Sequence, residues 1–232
     1  MTRPTLVLLP GLLNTGRVYA AQAAALADIA DVMTPELAAH DSMADMAKAV
    51  LAAAPARFAL GGFSMGGYVA FEVLRQAPQR VERLALIDTQ AEPDTPEATA
   101  RRHGFLEQSR IGRFHGVQPS LLPNLVHPSR LGDAEVVQPI FDMALEIGPD
   151  GFAREQKAIM GRPDSRPMLA EIDMPTVVIS GRQDIAIPLA RAEEMATTIP
   201  DAWLAVLEVC GHMAPLERPA EVSAALRKWL TQ

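Results

Sequence analysis

The chain has 232 residues, of which 49% are hydrophobic, 21% charged and 5% aromatic. That composition excludes a disordered or collagen-like chain, and a chain of this length buries roughly 70% of its unfolded surface without a disulfide or metal staple. The formal net charge of −7 disfavours a nucleic-acid partner, because neutralising phosphates takes clustered Lys and Arg.

The single cysteine, Cys210, cannot form an intrachain disulfide or a thiolate metal site, and points to a reducing compartment. The apolar run Leu6–Leu9 is too short for a signal-peptide core. No later stretch approaches the ~20 apolar residues of a spanning helix. A soluble, cytoplasmic protein with no membrane partner is expected.

Along the chain, short apolar runs ending at Gly, Pro or Asp alternate with Ala-, Leu- and Met-rich segments. The runs Thr5–Leu9, Val32–Thr34, Arg57–Leu60, Leu84–Ile87, Thr176–Ile179 and Trp203–Leu207 are apolar almost throughout. Strands covered on both faces by helices have this pattern. Helices are expected at Tyr19–Ala27, from Asp41 or Ser42 to about Ala53, at Met65–Gln76 and Leu189–Thr197, and at Pro219–Leu230, whose proline suits an opening turn. The alternation predicts an α/β three-layer sandwich around a mostly parallel sheet of about six strands.

Between about Gln90 and Asp173 this rhythm stops, with no convincing strand and several short helical patterns such as Val137–Ile147. A connection of that length should carry structure of its own. The expected organisation is a core formed by residues 1–89 and 174–232, with an inserted helical lid at 90–173.

The run Arg57–Leu60 leads into Gly62-Phe63-Ser64-Met65-Gly66, a G-x-S-x-G turn between a strand and a helix. Such a turn is sharp enough to exclude bulk beside the serine, and it lifts the hydroxyl above the strand ends. With 15 glycines and eight serines in 232 residues, the pentapeptide would arise by chance about 0.03 times per chain. A serine-capped glycine turn is the plain alternative, and the strand-turn-helix setting favours a nucleophile.

A serine hydroxyl needs an adjacent base. Of five histidines, His212 follows the last strand at the edge where Ser64 emerges. His40 sits in an early connection, and His103, His115 and His127 lie in the lid interval. The acid that orients the imidazole is expected to be Asp184, in Gly181-Arg182-Gln183-Asp184, with Asp88 at the end of Leu84–Ile87 as a competitor. Cys210, two residues from His212, reads as a small buried residue and not as a second nucleophile.

These pieces, together with Leu9-Pro10-Gly11-Leu12, Gly67 and Gly211-His212, resemble the α/β-hydrolase superfamily from Thr5 to Leu230. The resemblance implies Ser64 as nucleophile, His212 as base and Asp184 as acid, with an oxyanion hole from the backbone N–H groups of Met65 and Leu12. It implies no cofactor and no metal. Two departures stand out: Pro10-Gly11 replaces the family's common His-Gly, and the sequence opens almost directly on the strand before the oxyanion loop, without the usual leading hairpin.

Ser64 argues against the haloalkane dehalogenase branch, which carries an aspartate there. Hydrolysis of a small or medium carboxylic ester is the expected activity. Similar scaffolds also serve enol-lactonases, carbon–carbon bond hydrolases, the lyase of menaquinone synthesis and triad-bearing small-molecule receptors.

For substrate contact the expectation falls on Phe63, Phe105 and Phe114. It falls also on Arg110 and Arg113, in a locally basic stretch from Arg101-Arg102-His103 to His115 that would attract a substrate carboxylate or an acidic carrier protein. A solvated helix face is the plain alternative for the basic stretch, and packing within the lid the plain alternative for the aromatics.

Overall fold

A computed structural model describes residues 3–114 and 116–232, without the side chains of residues 112 and 113. The expectations placed on His115 and on the Arg113 side chain therefore lie outside the described residues.

The six apolar runs form one sheet of parallel strands: β1 (Thr5–Leu9), β2 (Asp31–Met33), β3 (Phe58–Phe63), β4 (Val81–Ile87), β5 (Thr176–Gly181) and β6 (Ala202–Leu207). Their spatial order is β2-β1-β3-β4-β5-β6. Alternate residues serve opposite faces, as the pleat requires. Leu6 and Leu8 belong to one apolar cluster, Val7 and Leu9 to the other. Both faces are buried, which is why the strands show no in-out alternation.

One face carries α1 (Ala20–Leu26), the short α7 (Ala214–Glu217) and α8 (Pro219–Thr231). The other carries α2 (Met43–Ala53), α3 (Met65–Gln76) and α6 (Leu189–Thr198). Ser42 caps α2 by accepting the Asp45 N–H, and Pro219 opens α8.

Between β4 and β5 lie α4 (Pro96–Gln108) and α5 (Ala134–Met160), with short helical turns around them and no strand among the described residues. Gly148, at φ 69° and ψ 178°, breaks α5 just after the predicted stretch Val137–Ile147. The apolar side chains of this segment join the same two clusters as the strands: Val136, Ile140 and Met143 on one face, Ala158 and Ile159 on the other.

A buried ion cluster braces the segment. Arg162 and Arg102 both donate to Asp94, and the Arg162 guanidinium lies 4.3 Å from the Tyr68 ring centroid. No described helix is long and apolar enough to cross a membrane.

The direction of winding reverses between β1 and β3. The chain moves outward from β1 to β2, then returns to β3 and continues the other way. Ligands of open parallel sheets bind beyond the strand C-termini at such a reversal. Here the loop after β1 and the turn after β3 meet.

The approach of α3 to β1 depends on Gly66, where a Cβ would strike the carbonyls of Leu9 and Pro10. Gly66→Ala is expected to cost about 3 kcal/mol by overpacking against backbone, read as a lower urea midpoint. Gly104 in α4 has open space around it, and Gly104→Ala is expected to stabilise the fold by up to about 1 kcal/mol of helix propensity, read as a higher urea midpoint.

Candidate active site

β3 delivers the chain to Ser64, whose backbone sits at φ 51° and ψ −115°. A left-handed non-glycine residue of this kind costs about 1–3 kcal/mol and persists only where its surroundings enforce it. Three hydrogen bonds do so. The Ser64 N–H donates to the Ile87 carbonyl (2.9 Å), and the Ser64 carbonyl accepts from the Gly67 N–H (2.9 Å) and the Thr89 hydroxyl (2.8 Å). A Cβ at Gly62 would meet the backbone of Gly66 and Gly67, so both glycines of the motif answer to close backbone approach.

Three loop residues from distant parts of the chain then line up. His212 Nε2 lies 3.0 Å from Ser64 Oγ, and His212 Nδ1 lies 2.8 Å from Asp184 Oδ2. An ionised carboxylate only accepts, so the imidazole proton belongs on Nδ1 and the Nε2 lone pair faces the serine hydroxyl. The other oxygen of Asp184 accepts the backbone N–H groups of Ala186 (2.8 Å) and Ile187 (2.9 Å). Burial disfavours the imidazolium, but the charge and hydrogen bond of Asp184, with Asp88 and Glu217 further off, outweigh it and raise the His212 pKa above its ordinary 6.5.

The competitor Asp88 turns elsewhere. Its Oδ1 accepts the Gly181 N–H (2.8 Å) and its Oδ2 the Ala214 N–H (3.2 Å), tying together the loops that carry Asp184 and His212. Burial, then the neighbouring Asp184 charge, pushes its carboxyl well above the usual range.

Glu217 is a second such brace, missed by sequence reasoning. Its carboxylate accepts the N–H groups of Gly211 (3.0 Å) and Met213 (3.1 Å) on either side of His212, and that of His127 (2.8 Å) in the inserted segment. The Leu125 carbonyl in turn accepts the His212 N–H (2.8 Å). Cys210 is fully buried, and burial holds its thiol far above the ordinary thiol pKa, in keeping with a packing residue.

Met65 opens α3, so its N–H has no acceptor within the helix. Leu12 follows β1 at the mouth of the same site and lines the cavity above Ser64. That cavity has a volume of about 680 Å³ and contains Ser64 and His212, a size suited to a small or medium ligand.

Phe63, Phe105 and Phe114 line the cavity, and Phe152 of α5 packs against Phe114 with ring centroids 5.4 Å apart and the planes tilted by 42°. Arg110 does not line it. Its guanidinium is paired at two points with Glu107 (3.1 and 2.9 Å), one helical turn back on the exposed surface. The basic character at the cavity comes instead from Arg101 and Arg102, beside Asp94 and Tyr68. Arg110 stands beyond the last residue of α4, in the wider helical turn Ser109–Arg113, and its side chain turns back to Glu107.

The α/β-hydrolase fold family matches residues 4–219. A pimeloyl-[acyl-carrier protein] methyl ester esterase of Aromatoleum aromaticum is 29% identical over 97% of this chain and 98% of its own length. Among solved structures, a thermophilic esterase from Thermogutta terrifontis superposes with a TM-score of 0.92 at 32% identity, covering 99% of this chain and 90% of that one. The enol-lactonase from Burkholderia xenovorans LB400 does so with a TM-score of 0.88 at 26% identity, covering 100% and 93%. A match over nearly the whole sequence and a sheet that superposes on these enzymes lead to one conclusion: the chain belongs to the α/β-hydrolase fold family and is a hydrolase by kinship.

Proposed function

We propose that the protein is a serine esterase acting on carboxylic esters of small or medium size through Ser64, His212 and Asp184. The observation that carries this reading is the unbroken hydrogen-bonded chain Asp184–His212–Ser64 at the floor of the 680 Å³ cavity.

In the proposed reaction Ser64 Oγ attacks the ester carbonyl as its proton passes to His212 Nε2. The developing oxyanion takes hydrogen bonds from the Met65 and Leu12 N–H groups, and Asp184 stabilises the imidazolium. His212 returns the proton to the departing alcohol. Water then repeats the sequence on the acyl-enzyme and releases the acid.

The segment 90–173 acts as the lid, since Phe105, Phe114 and Phe152 wall the cavity and Leu125 and His127 are bonded to the His212 loop. Arg101 and Arg102 line the cavity, where Asp94, already paired with Arg102 and Arg162, is the one acid among the described lining residues; this favours an acyl group that bears a negative charge or is carried on an acidic protein. The relatives named for an acyl-carrier-protein methyl ester support the same reading.

Turnover decides the first part. p-Nitrophenyl acetate and butyrate should be cleaved, a fluorophosphonate should label Ser64, and Ser64→Ala should abolish both. No turnover together with no labelling would return the scaffold to a receptor or a carbon–carbon bond enzyme.

The roles of the two aspartates separate by pH. Asp184→Asn should lower kcat by about 10⁴. Asp88→Asn should lower it far less and lower the melting temperature, since the amide NH2 that replaces one carboxyl oxygen would face an N–H donor and could not accept from it. Activity requires neutral His212, and its pKa is raised, so kcat/KM should rise with pH through a midpoint above 6.5. Loss of the Asp184 charge should move that midpoint down.

Arg101→Ala should raise KM for an anionic acyl ester about fivefold, from roughly 1 kcal/mol for a partly exposed ion pair, and leave a neutral ester unchanged. Equal effects on both would remove the charge preference from the proposal.

A further inference from the structure

A buried carboxyl that this chemistry does not use stands behind the oxyanion loop. Glu155, in α5, is 1% exposed, and its Oε2 accepts the Leu13 N–H at 2.9 Å. Burial pushes the Glu155 carboxyl up to about 8, against the hydrogen bond from Leu13 and the charge of neighbouring Arg154, whose Nε donates to the Ala38 carbonyl. A carboxyl with so little ionic compensation is costly where an apolar side chain would pack. Its one backbone partner therefore invites a functional account.

That partner lies in a strained turn. The Asn14 N–H donates to the Gly11 carbonyl at 3.1 Å, closing a turn with Leu12 and Leu13 at its centre. Leu13 sits at φ 59°, in the place where such turns take Gly or Asn, and a leucine there costs about 1–2 kcal/mol.

The Leu12–Leu13 peptide is pinned at both edges. Its carbonyl accepts Asn14 Nδ2 at 2.6 Å, and its N–H donates to Glu155. The preceding peptide is held by its Gly11 carbonyl, and in a trans peptide the Leu12 N–H leaves from the opposite edge. Fixing these two planes fixes the direction of the Leu12 N–H.

We propose that Glu155 is a positioning residue for the oxyanion hole, holding the strained Leu12–Leu13 peptide so that the Leu12 N–H is aimed over Ser64. Through α5 the same bond ties the aim of that donor to the segment that walls the cavity. This inference rests on the esterase reading, in which Leu12 is one of the two oxyanion donors.

The test compares Glu155→Met, which keeps the volume and removes the acceptor, with Glu155→Gln, whose amide oxygen can accept the same N–H. Hydrolysis of p-nitrophenyl acetate is measured per Ser64 titrated by a fluorophosphonate, so that misfolded protein does not count. The Met variant should lose tenfold or more in kcat, approaching the roughly 10²–10³ of a deleted oxyanion donor, with KM within about twofold. The Gln variant should stay within about threefold of wild type in both.

An unchanged kcat per active site in the Met variant overturns the proposal, and so do equal losses in the Met and Gln variants. Should the Met variant fail to fold, Leu13→Gly is added to it, since glycine lifts the cost of the left-handed turn. A reduced kcat in that double variant supports the proposal, and wild-type kcat overturns it. Wild-type protein that hydrolyses no ester would sink the esterase reading itself, whereas active wild type with an indifferent Met variant sinks only the role of Glu155.

Discussion

A left-handed serine wedged between a buried strand and a buried helix is the constraint on which the site depends. Ser64 can hold φ 51° only because Ile87, Gly67 and Thr89 bond its N–H and carbonyl. Those partners are available only because β4 lies beside β3 and α3 starts at once. The glycines follow from the same requirement. Gly62 and Gly66 lack side chains so that the turn can close, and Gly66 also lets α3 descend onto the end of β1. Strain of about 1–3 kcal/mol is thus held by rigid neighbours rather than by a loop free to relax, which keeps the hydroxyl where the imidazole can reach it.

The rest of the constellation is fixed by buried carboxyl groups that accept backbone N–H groups. Asp184 accepts two amides of its own loop as well as the imidazole, Asp88 joins the Gly181 and Ala214 amides, and Glu217 gathers those flanking His212. Each would be expensive to bury alone, and each is offset by donors that a loop would otherwise leave unsatisfied. A carboxylate is well suited to this use, because its two oxygens can serve two chain segments at once. Burial lowers the His212 pKa, but the charge and hydrogen bond of Asp184 and the lesser influence of Asp88 and Glu217 raise it above its ordinary value.

What could be read from the sequence follows from which forces are local. β1 and α3 fall on Thr5–Leu9 and Met65–Gln76, as the apolar runs and helical spacing indicate. β3 runs on through Gly61, Gly62 and Phe63, where glycine reads as turn; Gly61 is needed because a Cβ would meet the Leu8 side chain at 2.6 Å. β4 begins at Val81, ahead of the apolar stretch, because Arg83 finds the Trp229 carbonyl at 2.8 Å and can remain in the sheet.

The position of Ser64 was legible because its motif is a local backbone necessity. The sequence favours Asp184 over Asp88, but both follow strands at one edge of the sheet, and the contact that pairs Asp184 with the imidazole exists only in the packed loops. Arg110 stands past the end of α4 and pairs back with Glu107, whereas Arg101 lines the cavity, a difference that a basic stretch does not disclose. Glu155 and Glu217 resemble the solvated acids of any amphipathic helix until the fold brings backbone donors to them.

Among the described residues, four hydrogen bonds join the segment 90–173 to the loops of the candidate site: the Leu125 carbonyl accepts the His212 and Met213 N–H groups, the His127 N–H donates to Glu217, and Glu155 accepts the Leu13 N–H. Three reach the histidine loop, from Leu125 and His127, and one the loop after β1, so the segment grips the site on both sides of Ser64. Its aromatic residues wall the cavity as well. A substrate that presses on that wall therefore presses on helices bonded to the groups proposed as base and oxyanion donor. Hydrogen bonds of about 1 kcal/mol each are weak singly, but bonds at three separate points suppress rotation as well as translation of one part against the other. Changes that widen the cavity by shifting α5 should consequently alter the chemical step along with binding, whereas changes confined to side chains on the wall need alter only which substrate fits.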